Sequence, residues 1–254
     1  FENARGRQNI GYTFFENELN PKSIENARQF DLILGGSSWC RDRMLEKGID
    51  NCDVLLQGID PNIFYPIEAP GQRDQFVIYS GGKFELRKGQ DLVLKAVKIL
   101  QDKYDDIVLA NCWYNLWPES MRWMAHSRHI EFEYKELPWL ELMQSVYQAN
   151  DLDNSRIRTF ELIPNEMQRS LYEQTDLGVF PNRCEGGTNL VMMEYMACGK
   201  PVVAANTTGQ ADIVSDQNAL LLNHTSPYNI AGPDDELIAR WQEPSLDELI
   251  AQIE

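Results

Sequence analysis

The sequence has few of the residues that typify metal-binding or nucleic-acid-binding proteins. Only 3 of its 254 residues are histidine, and its 23 lysines and arginines are outnumbered by 39 aspartates and glutamates, so the formal net charge is −16. This excess of negative charge argues against non-specific binding to nucleic acid or to an anionic membrane surface, which carry charge of the same sign. A bound phosphate must therefore be held by locally arranged cations and backbone donors.

Long apolar runs, metal motifs and paired cysteines are lacking as well. No run approaches the ~18 residues of a membrane span, and no apolar signal-peptide core begins the chain, so we predict no transmembrane segment. The five cysteines are odd in number and widely spaced in apolar contexts, which is typical of reduced thiols in a cytoplasmic protein. His126 and His129 have no third ligand at a suggestive spacing, so we predict no metal site.

The stretch with most chemical content runs from residue 180 to residue 205. It reads as a strand end, a loop from Glu185 to Asn189 with two glycines, an amphipathic helix that contains Glu194, and a second strand. Such a loop brings backbone N–H groups close to a ligand, and the following helix offers its positive end to an anion. This pattern predicts a phosphate-binding site.

A second loop with possible phosphate chemistry follows the apolar strand at residues 75–80. It runs from Gly81 to Gly89, carries three cations, and leads into a helix whose apolar residues are spaced for one buried face. The spacing is not that of a P-loop. By itself, a loop with three cations is more often simply solvated, so both interpretations stay open on the residues alone.

Strands and helices alternate along the chain, and this alternation predicts the fold class. Short apolar strands at 31–36, 52–56, 107–113 and 176–181 are separated by helical stretches, as in an α/β protein with a doubly wound parallel sheet. Residues 67–74 are rich in proline, glycine and charge and are predicted to be a linker. Residues 121–150 are predicted to be helical, as is the tail from Pro233, before a last helix that opens with the capping box Ser245–Glu248.

Two motifs resemble the donor-binding signature of the retaining GT-B glycosyltransferases of family 4. Residues 193–203 fit its Glu followed by Ala-x-Gly-x-Pro-Val, although eight residues separate Glu185 from Glu194 where the family has seven. Gly82-Lys83 and Lys88-Gly89 reproduce the family's Gly-Arg-x4-Lys-Gly, with lysine in place of the arginine. Lysine keeps the charge but lacks the bidentate geometry of arginine.

The resemblance implies a role for each matching residue. Lys83 and Lys88 would bind the donor diphosphate and Glu185 would orient the donor sugar, which makes these three the expected catalytic residues. Glu194 would accept hydrogen bonds from the ribose. Leu162 and Ile163 would contact the base. The other expected substrate-binding residues are Gly82, Gly186, Gly187, Thr188, Asn189 and Leu190.

The resemblance also implies a domain organisation and an activity. Residues 1–66 would be the end of the N-terminal acceptor domain, most of which is expected to be missing, and residues 75–254 a Rossmann-like nucleotide-sugar-binding domain. The expected function is retaining, metal-independent transfer from a UDP- or GDP-sugar to an unknown sugar, lipid or other acceptor, with no cofactor besides this donor substrate. The chain alone is expected to bind the donor and transfer poorly. The alternatives are a GT-B epimerase or phosphorylase and a noncatalytic sugar-nucleotide-binding or scaffold module.

Overall fold

The computed structural model describes residues 6–68, 71, 73–232 and 234–254, and its first part is a small parallel sheet. Within these residues the sheet has the strand order β1-β2-β3. The strands and their two helices are β1 (Ile10–Thr13), α1 (Pro21–Ala27), β2 (Leu32–Gly35), α2 (Ser38–Glu46) and β3 (Cys52–Val54). A serine caps α2: the Ser37 hydroxyl accepts from the Cys40 N–H at 3.2 Å.

The larger sheet is parallel and has six strands in the part of the chain that is described. Its strands are β4 (Phe76–Gly81), β5 (Ile107–Cys112), β6 (Ile157–Phe160), β7 (Leu177–Phe180), β8 (Val202–Ala205) and β9 (Leu220–Leu222). The helices between and after them are α3 (Gln90–Lys103), α4 (Pro118–Arg122), α5 (Trp139–Ala149), α6 (Asn165–Tyr172), α7 (Leu190–Ala197) and α8 (Leu246–Ile253). The strand order is β6-β5-β4-β7-β8-β9.

Helices cover both faces of this sheet, which explains why its central strands are almost wholly apolar. Alternate residues of β4 show the two layers: Ile78 packs with the apolar sides of α3, α5 and α8, whereas Tyr79 packs with α6 and α7. On the second face the ring of Tyr79 stacks on that of Tyr195, with centroids 5.1 Å apart. The α/β class with a Rossmann-like parallel sheet is thus confirmed.

The sequence-based expectation for the tail is wrong in one place. Residues from Thr225 to Pro244 form an antiparallel hairpin of β10 (Thr225–Ala231) and β11 (Leu237–Pro244), where a helix was expected from Pro233, which itself lies outside the described residues. Side chains of β11 alternate between exposed and buried, with Ala239 and Trp241 inward, so the period is that of a strand. Of the capping box of α8, the serine cap is confirmed, since the Ser245 hydroxyl accepts from the Glu248 N–H at 3.3 Å. The Glu248 carboxylate accepts from the Asn223 and His224 N–H groups instead of that of Ser245.

Residues 121–150 are helical only in part. Only short helical turns precede Ser127, and α5 begins at Trp139, while residues 131–138 have no regular structure. The predicted linker lies between β3 and β4, but its residues 69, 70 and 72 are outside the described residues, as are residues 1–5 of the predicted acceptor-domain remnant. The domain boundaries therefore stay predictions. Among the helices of the described residues, none combines the length and apolarity needed to cross a bilayer.

Candidate functional site

A cleft of about 310 Å³ opens where the strand order of the larger sheet reverses. The chain proceeds outward from β4 to β5 and β6 on one side and from β7 to β8 and β9 on the other. Loops that follow β4 and β7 therefore diverge, and parallel sheets bind ligands in the crevice between such loops. We call this the glycine-loop cleft. The predicted site residues that line it are Gly82, Lys83, Lys88, Glu185, Gly187, Asn189 and Leu190.

Two glycines allow the loops of the cleft to approach their neighbours. Gly89 has a φ of +72°, and a Cβ at this position would lie 2.2 Å from the carbonyl oxygen of Pro181. Gly186 lies against the N-terminal segment, where a Cβ would be 2.5 Å from the carbonyl oxygen of Phe15. A larger residue at position 89 or 186 would push the loop away from the backbone of Pro181 or Phe15, so the geometry of the cleft depends on glycine at both positions.

The two loops are joined by an ion pair between predicted site residues. Lys88 Nζ lies 2.5 Å from Oε1 of Glu185, and the Asn182 amide donates to the same oxygen. Both charged groups are buried. Burial acts to raise the pKa of Glu185, but the charges of Lys88 and Arg87 outweigh it and the pKa lies below its usual value. Burial lowers the pKa of Lys88, and the charge of Glu185 offsets only part of this effect.

Arg87 is a third cation of this loop, and the expected site omitted it. Its guanidinium contacts three carboxylates: Glu85 at 2.8 Å, Glu185 at 3.2 Å and Glu16 at 3.3 Å. Burial acts to lower the pKa of Arg87, but these carboxylates raise it above its usual value. The available signal was the third positive charge in the loop, next to Lys88. Only the fold shows that it joins both loops to the N-terminal segment.

Lys83 is the most accessible cation of the cleft. Its side chain is 40% exposed, Nζ lies 3.2 Å from Glu85, and it sits 4.8 Å from the centre of the Trp117 ring. An ammonium over an indole face keeps its charge available to a further partner, because the ring does not neutralise it. Lys83 and Lys88 therefore line the same cleft as one exposed and one largely buried positive charge.

Helix α7 begins at the cleft with an unusual cap. Asn189 has a φ of 61°, and its side-chain oxygen accepts from the Met192 N–H at 3.4 Å. Its amide nitrogen donates to the buried Gln210 side chain at 3.3 Å. Thr188 is fully buried and does not line the cleft, and its hydroxyl has no hydrogen-bond partner within the described residues. Gly186 does not line the cleft either. Its carbonyl oxygen accepts a hydrogen bond from the Ser37 hydroxyl at 2.8 Å.

Glu194 lies one turn further along α7, and it does not line the glycine-loop cleft. Burial raises the pKa of this carboxyl to about 7, and the polar groups of Tyr172 and Asn165 offset part of the effect. Asn165 is the first residue of α6, so Glu194 approaches the loop that holds Leu162 and Ile163. Leu162 is exposed, whereas Ile163 is partly buried against the apolar cluster around Tyr79 and Tyr195, on the face of the sheet that α6 and α7 cover. The structure thus gathers these three predicted residues at a separate end of the site.

The N-terminal sheet completes the cleft with residues that sequence reasoning missed. Phe14, Glu16 and Gln57 line it, and Gly187 lies so close to Gln57 that a Cβ would be 2.8 Å from the amide oxygen. No local pattern marks these residues, because they meet the loop across more than a hundred positions of sequence.

A buried arginine supports the loops from behind. Arg183 is fully buried, donates two hydrogen bonds of 2.7 Å to Asp91, pairs with Glu243 at 2.7 Å, and donates to the Leu86 carbonyl oxygen at 2.6 Å. It therefore links α3, the hairpin and the loop from Gly81 to Gly89, which we call the cation loop. His129, considered above as a metal ligand, lies 3.4 Å from Glu243. Within the described ranges, no group of three histidine, cysteine, aspartate or glutamate side chains could hold a metal ion.

Residues 134–237 match the family described as glycosyl transferases group 1. An alpha-1,3/1,6-mannosyltransferase of Saccharomyces cerevisiae is 21% identical over 206 residues, which are 78% of this chain and 38% of the yeast protein. A D-inositol 3-phosphate glycosyltransferase of an Arthrobacter species is 26% identical over 203 residues, which are 77% of this chain and 43% of that protein. The chain thus spans less than half the length of these relatives.

A solved structure shows the same fold. The HepE protein of Anabaena, crystallised with UDP and glucose, superposes with a TM-score of 0.62 at 19% identity. The superposition covers 85% of this chain and 57% of the Anabaena chain. At this level of identity the likeness concerns the fold, a GT-B arrangement.

Proposed function

We propose that this chain, of which residues 134–237 match the glycosyl transferases of group 1, binds a nucleotide-diphosphate sugar for transfer to an acceptor. The observation that carries this proposal is the meeting of Lys83, Lys88 and the start of α7 in one cleft at the switch point of the sheet. Two ammonium groups and a helix N-terminus supply positive potential on several sides of one small space. A diphosphate has the charge and size to use all of them.

The two lysines stabilise the leaving diphosphate in this proposal. Charge builds on the phosphate oxygens as the bond to the sugar breaks, and fixed cations lower the energy of that state more than the ground state. Lys88 is held in place by Glu185, whereas Lys83 can follow the phosphate. The presence of both lysines in the cleft supports a metal-independent route, in which lysines and backbone donors supply the positive charge.

Glu185 positions the donor sugar. An ionised carboxylate offers about four acceptor positions, and Lys88, Asn182 and Arg87 occupy three of them in the structure. In this proposal the remaining position accepts a hydrogen bond from a sugar hydroxyl in the cleft that Glu185 lines. Glu194 accepts from the ribose, and backbone groups of Leu162 and Ile163 meet the base.

Transfer with retention follows from a front-face reaction in which the leaving phosphate removes the acceptor proton. This route requires no protein nucleophile and no cofactor. The donor is a UDP- or GDP-sugar, and the acceptor is a sugar, lipid or other hydroxyl compound. A cytoplasmic location is proposed as well, supported by the five cysteines, all of which are free thiols in the structure.

Calorimetric titration with UDP, GDP, ADP and their sugar conjugates tests the donor site. We expect one nucleotide to bind selectively, and Lys88→Ala and Glu194→Ala each to weaken it. The exposed Lys95→Ala on α3 is the matched control and should bind as the unchanged chain does. Equal binding by Lys88→Ala and the control, or no binding of any nucleotide by the unchanged chain, would refute the proposal.

A further inference from the structure

A second cleft, of about 250 Å³, adjoins the glycine-loop cleft, and apart from Lys83 its lining residues have no role in the proposed donor site. The two clefts share Glu16 and Lys83 as lining residues, so they meet across these side chains. Its far wall is the β10–β11 hairpin, which contributes Ile230, Ile238 and Trp241. We call it the hairpin cleft.

The hairpin wall is fixed in position before any ligand binds. The indole N–H of Trp241 donates to the carbonyl oxygen of Glu16 at 2.8 Å, and the Glu18 N–H donates to the carbonyl oxygen of Ile238 at 2.7 Å. Behind the wall, Glu243 pairs with the buried Arg183 at 2.7 Å. A ligand would therefore meet a formed surface and would not need to order it, which favours binding.

The charges that line the hairpin cleft neutralise one another. Lys83 lies 3.2 Å from Glu85, while Arg87 lies 2.8 Å from Glu85 and 3.3 Å from Glu16. Each lining cation thus has a lining carboxylate as partner, and the two carboxylates balance the two cations. The glycine-loop cleft has the same balance of two cations and two carboxylates, but there the N-terminus of α7 adds positive potential. No residue of α7 lines the hairpin cleft, so its charge pattern favours a neutral ligand.

The remaining lining groups are those that recognise a sugar ring. The half-buried Trp123 lines the cleft with its indole ring, and the buried Trp241 and Ile230 add apolar lining. The Glu16 and Glu85 carboxylates and the Ser120 hydroxyl also line it and carry hydrogen-bonding atoms. A pyranose has an apolar C–H face and a rim of hydroxyl donors, which matches this division. The volume falls below the ~300 Å³ at which drug-sized ligand pockets begin, so it suits one ring.

We propose that the hairpin cleft binds one neutral sugar ring of the acceptor, next to the donor sugar. This inference rests on the proposed function, because the shared edge formed by Glu16 and Lys83 brings a ring in the hairpin cleft beside a donor in the glycine-loop cleft. The hairpin is then a specificity element of the transfer reaction. Donor binding does not require it.

Saturation-transfer NMR on the chain, saturated with the nucleotide that it binds, tests this site. The probes are methyl α-D-mannopyranoside and methyl α-D-glucopyranoside. Ser120→Phe fills the cleft from its side wall, and Asn17→Trp covers it from an exposed lining position. The matched controls place the same side chains on exposed positions outside both clefts, as Ser170→Phe and Asn26→Trp.

We expect at least one glycoside to bind, and each cleft variant to weaken it about tenfold or more while nucleotide affinity and both controls stay unchanged. Nucleotide binding without binding of either glycoside would overturn the sugar site alone. Displacement of the glycoside by inorganic phosphate, or unchanged glycoside binding in Ser120→Phe and Asn17→Trp, would overturn it too. Failure of the unchanged chain to bind any nucleotide would instead refute the proposed function on which this site depends.

Discussion

Lys88 Nζ lies 2.5 Å from Oε1 of Glu185, so two groups predicted on separate loops are direct partners in the structure. Arg87 reaches the other oxygen of the same carboxylate at 3.2 Å. The pair fixes the distance between the loop after β4 and the loop after β7. In the proposed donor complex, a diphosphate that approaches Lys88 meets an ammonium group whose position is set by Glu185, and Arg87 gives this carboxylate a second positive partner.

Removal of one member of this pair should destabilise the protein more than removal of both. Lys88→Met leaves a buried carboxylate with Arg87 and Asn182, and Glu185→Gln leaves a buried ammonium group. We expect Lys88→Met to cost about 3 kcal/mol of unfolding free energy, at the low end for broken buried pairs because Arg87 still pairs with Glu185. Glu185→Gln should cost more, because Arg87 then repels Lys88. Chemical denaturation of the two single variants and the double variant gives the coupling energy. Additive losses would show that the two charges do not interact.

Glu194 should make stability depend on pH near neutrality. Burial raises the pKa of its carboxyl from 4.5 in the unfolded chain to about 7 in the folded protein. The folded state thus binds the proton more tightly, so this contribution is complete below pH 4.5 and is lost as the pH rises through about 7. We expect a loss of up to ~3 kcal/mol across this window. Denaturant titrations at several pH values should show the slope, and Glu194→Gln should remove it.

The same carboxyl should release a proton when nucleotide binds. Ribose hydroxyls donate to the ionised form of Glu194, which lowers its pKa in the complex. Calorimetry near pH 6.5, in two buffers that differ in ionisation enthalpy, should give different apparent enthalpies for the unchanged chain. Glu194→Gln should give equal enthalpies, and equal enthalpies for the unchanged chain would contradict the ribose contact.

Gly89 and Gly48 form a matched pair for separating backbone strain from a steric clash. Their φ values are +72° and +73°, but a Cβ at Gly89 would lie 2.2 Å from Pro181, whereas at Gly48 it would meet nothing within 4 Å. We expect Gly48→Ala to cost about 1 kcal/mol, the usual penalty of a left-handed residue with a Cβ. Gly89→Ala should cost clearly more in thermal denaturation and also weaken nucleotide binding. Equal losses would show that the Pro181 contact relaxes freely.

The central sheet and part of the site could be predicted because their signals are local. Apolar strands such as β4 and β7 alternate with helices, and parallel strands necessarily bring their following loops to one edge. Lys83, Lys88 and the loop after Phe180 therefore line one cleft. Glu16, Gln57 and the partners of Arg87 could not be predicted in this way, because no local spacing shows which distant segment covers a loop.

The hairpin shows where periodicity was misread. The tail reads as Leu237-Ile238-Ala239-Arg240-Trp241, a short apolar run that a helix or a strand can use, and length alone does not decide between them. Tertiary contacts favour the strand: Trp241 packs in the apolar cluster that contains Ile78 and the apolar sides of α3 and α5, and Glu243 forms an ion pair with Arg183. Both partners lie far away in sequence. The second cleft that depends on this hairpin could not be predicted for the same reason.

Arg183 should act as a positioning residue whose loss loosens both clefts. It is buried with Asp91 and Glu243, so Arg183→Met leaves two uncompensated carboxylates in the interior. We expect a loss of about 3–5 kcal/mol, which for a chain of this size lowers Tm by about 10 °C. Arg183→Lys keeps the charge but not the paired hydrogen bonds to Asp91, so its Tm should lie between those of the unchanged chain and Arg183→Met.

Differential scanning calorimetry measures these Tm values, with Arg122→Met, which changes an exposed arginine, as the control. Because Arg183 also holds the Leu86 carbonyl oxygen, Arg183→Lys should weaken nucleotide binding even at temperatures where it is fully folded. A purely structural role predicts a lowered Tm with unchanged affinity. Weakened nucleotide binding in folded Arg183→Lys, with no change in Arg122→Met, would show that the buried triad sets the position of the cation loop.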